Sequence, residues 1–240
     1  MKQNAGRLRR ALAESHRLAA SLDADDFPLV ELEVLQDWQR ERLARSYHDL
    51  FTQPRFTAAG NFFLTELYGG LHFRQRDQEM ERVLPVMVRM LRDDMLAALA
   101  EAFELQSLSL DLDIDMTLAL QRSGWSELNT DRYAAIYRTC GRIAERKDQI
   151  ELIRDLGLKL NKLVNHRLVL LLIRTLRGPA RAAGFGLLQS FLEQGLYAFR
   201  EMGDGSEFVA TIWQRESDAI RRLVAGDDNP FSQDPPKPTN

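Results

Sequence analysis

The chain has one cysteine, Cys140, so no disulfide can form within it. A single thiol suits a reducing compartment. Long hydrophobic runs are missing as well. The longest apolar run, Leu168–Ile173, falls far short of the roughly 18 residues of a membrane span. The segment Met1–Ser21 is charged and helical in pattern, without the apolar centre of a secretory signal. These absences lead to the expectation of a cytoplasmic protein with no membrane segment. An excess of positive charge is also lacking. Against 32 lysines and arginines stand 35 acidic residues, for a net charge of −3. That balance argues against a nucleic-acid protein that works by neutralising phosphates. There is no Gly-rich phosphate loop, no Gly-x-Ser-x-Gly elbow, no paired-cysteine zinc pattern and no Glu-x-x-His.

What is present is helical periodicity. The 240 residues are 45% hydrophobic and 28% charged, ordinary for a globular chain with a core large enough to enclose a ligand. Asn4–Ser21 is amphipathic. A longer helix is expected from Pro28 to about Phe51, and another from near Arg55 to Gly70. Pro85 interrupts the next segment, after which a stripe runs from Met87 to Leu105. Leu108–Leu120 alternates apolar and polar residues, the period of a strand. It is nevertheless expected to be helical. No other segment offers a partner strand, and a lone strand leaves its backbone groups unpaired. Helices follow at Asp131–Arg146, from Asp148 with an apolar stretch over Leu158–Leu176, at Pro179–Met202 and at Ser206–Val224. Gly157 is expected to bend its helix. Residues 226–240, with four prolines, read as a disordered tail. The fold class is therefore all-α, a single bundle of about eight or nine helices over residues 1–225.

Two carboxylates break the pattern. Glu66 falls in the middle of an apolar helical face with Phe62, Phe63, Leu67 and Gly70. Glu216 falls at the centre of the stripe Phe208, Val209, Ile212, Trp213, Ala219, Ile220 and Leu223. A carboxylate so placed must be neutral, paired or metal-bound. The stretch Phe62-Phe63-Leu64-Thr65-Glu66-Leu67-Tyr68 resembles the signature of the bacterial FFLEELY-motif family of helical proteins. Thr65 stands where that motif has a second glutamate, and Glu66 is retained. The resemblance implies a helical fold and no established activity.

The plain reading pairs each glutamate with an arginine inside the bundle, Arg181 and Arg174 being the candidates. The sharper reading brings Glu66, Glu216 and His166 together around iron or manganese, as inward glutamates do in di-iron bundles. The remaining histidines are His16, His48 and His72, and His16 gives a loose analogy to heme-degrading oxygenases. The leading expectation is a non-catalytic module without cofactor that binds a protein partner or a small apolar ligand. Phe62, Phe63, Tyr68, Phe185, Phe191 and Phe199 would line its interior. The alternative is a metal- or heme-dependent oxygenase-like enzyme. A third reading is a homodimer packed through the Gly/Ala-rich helix at Pro179–Met202.

Overall fold

The computed structural model describes residues 3–67, 91–164 and 186–232, with 84–85, 88–89, 174–175 and 177–178. Every regular element among them is helical, and the architecture is an all-α bundle. None of the described helices is long and apolar enough to cross a membrane.

The organising element is α5, Asp93–Ser123. At 31 residues it is about 45 Å long at a rise of about 1.5 Å per residue. Asp93 and Asp94 sit in its first turn and Arg122 in its last, each favourable to the helix dipole. Gly124 ends it with φ +68°, a left-handed conformation that glycine adopts without strain. The alternating segment Leu108–Leu120 lies wholly inside this helix. Leu112, Met116 and Leu120 are fully buried along one line, at i,i+4 spacing. Leu108, Leu110, Ile114 and Leu118 are only partly covered. The helix is sandwiched, so leucines around most of its circumference find neighbours.

Helix α1, Gln3–Ser21, lies along the first half of α5. Leu8, Ala11 and Leu12 pack against Leu96, Ala100 and Phe103. Arg7 joins Glu104 at 2.6 Å and Glu101 at 3.1 Å. Lys159 also reaches Glu101, tying the same carboxylate to another helix.

Helix α2 (Leu29–Ser46) is followed by a short α3 (His48–Phe51). The expected single helix is thus broken at Tyr47, whose φ is −116°. Helix α4 (Thr57–Phe62) passes into a π-helical turn, Phe63–Leu67. The signature stretch therefore begins on an α-helix and continues through a widened turn.

Helices α6 (Thr130–Cys140) and α7 (Ile143–Val164) replace the expected unbroken Asp131–Arg146. Gly141 has φ +66° and Arg142 φ +55°, both outside the helical region. Helix α8 is Gly186–Glu201 and α9 is Ser206–Ala225.

Helix α9 packs on α7. Trp213 Nε1 donates to Glu151 at 2.9 Å. Gly157 is a point of close approach. A Cβ there would lie 2.7 Å from Cγ2 of Val209. Gly157 thus seats α9 rather than bending α7, which runs through it without interruption. Replacing Gly157 by alanine should cost about 1–3 kcal/mol by overpacking, because a valine on a helix has little freedom to turn away. Chemical denaturation reads that loss directly.

The C-terminal expectation also needs correction. Residues 226–232 do not leave the bundle. Phe231 packs on Trp38 and Tyr133, with ring centroids 5.8 and 5.9 Å away. Arg222 Nη1 donates to the Ser232 carbonyl at 2.9 Å. An aromatic side chain and a paired carbonyl hold this strap down.

Candidate functional site

A partly open cavity of about 70 Å³ lies where α2, α5, α6, α7 and α9 meet. Each helix contributes through its periodicity. On α2 the buried positions Leu32, Leu35, Gln39, Arg42 and Leu43 follow one face. On α7, Arg146, Ile150, Ile153 and Gly157 recur at four- and three-residue steps. Both arginines are therefore carried inward by the register of their helices. Tyr133 and Tyr137 on α6, and Ser109, Leu112 and Asp113 on α5, complete most of the wall. Phe231 of the strap is also part of it.

Glu216 is largely covered at the centre of the α9 stripe, and its partner is Arg42. Their side chains are only 14% and 10% exposed. The Tyr47 hydroxyl donates to the same Oε1 at 2.8 Å. Burial opposes the charge on Arg42, and the adjoining Glu216 more than offsets it, so the guanidinium stays protonated. Burial raises the Tyr47 phenol well above its usual range, and Glu216 adds to this. Tyr47 is thus a neutral donor. Arg42 also lies over the Phe231 ring at 4.8 Å.

Asp113 accepts from Gln39 Nε2 at 3.1 Å and from Gln36 Nε2 at 3.4 Å. Burial pushes its carboxyl upward, against those two hydrogen bonds and the charge of Arg146. Gln149 donates to Ser109 at 2.7 Å. Burial likewise raises the phenols of Tyr133 and Tyr137, with Arg146 opposing in both.

Arg146 is the exception among these paired groups. It is 5% exposed. Its guanidinium lies over the Tyr137 ring at 4.0 Å. Its Nε and Nη2 are buried and have no hydrogen-bond partner among the described residues. Buried donors in proteins are nearly always paired, and a buried cation without partners is costly.

Among the residues singled out from sequence, Glu216 and Phe63 line this cavity. Phe62 is buried elsewhere, its ring 5.3 Å from Phe191. A Cβ on Gly195 would come within 2.8 Å of the Phe62 ring, so α8 approaches α4 closely there. Phe199 is partly buried against the cluster that contains Phe63 and Met202. Glu66 lies in the π-helical turn, but its side chain, like Tyr68, His166, Arg181 and Phe185, falls outside the described residues. Arg174 is exposed, with Nε donating to the Tyr197 hydroxyl at 3.0 Å. It is a surface residue and not the partner of Glu216. Glu216 takes its two contacts from Arg42 and Tyr47, donors rather than metal ligands. Among the described residues no group of three or more His, Cys, Asp or Glu side chains is placed to hold a metal.

Sequence reasoning passed over Arg42, Arg146, Gln39 and Phe231. For the two arginines a signal existed. Each falls in the apolar register of its helix, as Glu216 does. Phe231 had none beyond being the aromatic residue of an otherwise polar tail.

A family model described as a domain of unknown function (DUF8198) matches residues 21–230. No curated protein and no solved structure matches the chain.

Proposed function

The chain belongs to this DUF8198 family, whose description names no activity, and from its residues we propose that it is a ligand-binding helical module with its site in the central cavity. One observation carries the reading: Arg146, in the wall of this cavity, carries two buried donors that have no partner among the described residues. A purely structural core tends to remove such groups, whereas binding sites keep a few well-placed polar groups among apolar walls.

The surroundings favour binding over turnover. Glu216 is held by Arg42 and Tyr47, and Asp113 by two glutamines. Neither carboxylate is poised as a general base. The apolar walls, among them Leu112, Ile150 and Ile220, suit the small apolar ligand expected from the sequence only in part. The ligand that fits has an apolar end and a polar one.

The test is a thermal-shift screen of small alcohols, amides and carboxylates on the wild-type chain and on Ala219→Leu. Ala219 lines the cavity, so leucine there takes up its space. At least one compound should raise the wild-type melting temperature and leave the variant unmoved. A ligand at a hundred times its Kd stabilises by about 2.7 kcal/mol. A wild-type chain that responds to none of the compounds, or a variant that responds equally, would count against the proposal.

A further inference from the structure

Resting on the cavity as the ligand site, we infer that the ligand is a small carboxylate, held side-on by Nε–H and Nη2–H of Arg146. Those two groups form one edge of the guanidinium. They point the same way and match the two oxygens of a carboxylate. The chain itself uses this edge repeatedly. Arg7 binds Glu104 through Nε at 2.8 Å and Nη2 at 2.6 Å. Arg177 binds Glu193 through the same atoms at 2.7 and 2.6 Å. Arg17 does so with Glu14 on the surface. On Arg146 the same edge is far more deeply buried, and no carboxylate among the described residues takes it.

Charge points the same way. The two acids lining the cavity are already engaged, Glu216 by Arg42 and Asp113 by Gln39 and Gln36. Asp113 and Arg146 act on each other through space, and an incoming carboxylate supplies the hydrogen-bonded counter-charge that the edge lacks among the described residues. Volume sets the size. A water needs about 10–15 Å³ of such space, and sites for drug-sized ligands span about 300–1,000 Å³. A cavity of about 70 Å³ therefore admits a carboxylate with a short alkyl end. The Tyr137 ring lies 4.0 Å from the guanidinium carbon.

The experiment is calorimetric titration of the full chain with sodium propionate, its neutral isostere propionamide and, at matched ionic strength, sodium phosphate. Arg146→Met and Arg146→Lys are titrated alongside. Propionate should bind the wild type. Propionamide and the Met variant should each weaken binding by about ten- to a hundredfold, the worth of hydrogen bonds to a charged group. Lysine keeps the charge without the fork and should recover only part of that loss. Equal binding of propionate and propionamide would overturn the carboxylate assignment and leave the cavity as a site for neutral ligands. Phosphate binding in preference to propionate would replace it with a tetrahedral anion. If neither propionate nor propionamide binds while another screened compound does so in an Ala219→Leu-sensitive manner, only the carboxylate inference falls. If no compound binds, ordered water fills the edge and both readings fall.

Discussion

Glu216→Ala should lower the unfolding free energy by about 3–5 kcal/mol, the usual consequence of stranding one half of a buried ion pair. Three things are lost together. Arg42 is left charged inside the bundle, and its Nε already lacks a partner among the described residues. The Tyr47 hydroxyl loses the acceptor 2.8 Å away. A void opens in the α9 stripe beside Ile212 and Ile220. Two further variants separate these causes. Glu216→Gln keeps an acceptor for Tyr47 and should lose less than alanine does. Joint replacement of Arg42 by methionine and Glu216 by leucine removes both charges, and should recover most of the alanine loss. Urea unfolding followed by tryptophan fluorescence is suited to the measurement, since Trp38 stacks on Tyr133 at 4.2 Å beside this network. A loss under 1 kcal/mol for Glu216→Ala would mean that the pair is not the buried anchor described above.

The second large effect has the opposite sign. Arg146→Met should raise the ligand-free unfolding free energy by about 1–3 kcal/mol. Two unsatisfied donors on a buried charged group disfavour the fold by about 1–3 kcal/mol each, while the ring contact with Tyr137 returns roughly 1–2 kcal/mol. Methionine preserves most of the side-chain length without the charge. Most core substitutions destabilise, so a gain here would mark a residue kept for something other than stability. The same denaturation assay measures it, and a loss of about 2 kcal/mol or more would make Arg146 an ordinary structural residue.

The two substitutions also show where sequence reasoning reached and where it stopped. The helical character of Leu108–Leu120 was legible despite its alternation. The deciding argument was the lack of any partner strand, not the period itself. Glu216 was legible because a single acid at the centre of seven apolar residues has no route to water. Its partner was not legible from sequence, since periodicity places residues on a face but does not say which faces meet. Arg181 and Arg174 seemed plausible for that reason, and Arg42 took the place. The break at Gly141 was hidden by apolar residues on both sides that keep nearly the same register. Arg146 followed the same logic as Glu216, and was passed over because the expected helix Asp131–Arg146 put it in a last turn, where an arginine reads as solvated. Phe231 shows the limit of composition. Proline and polar residues around it suggest a loose tail, yet one aromatic ring and one carbonyl bond secure the strap up to Ser232.

The most direct test of the account is the Arg146 Nε–Hε signal in a nitrogen-correlated NMR spectrum, assigned by its absence from Arg146→Lys and followed as propionate is added. The account predicts a buried signal that shifts strongly downfield and becomes better protected from exchange as the carboxylate takes the open edge, with no such change on adding propionamide. A signal that stays where it is while the protein remains folded and propionate is in excess would contradict it.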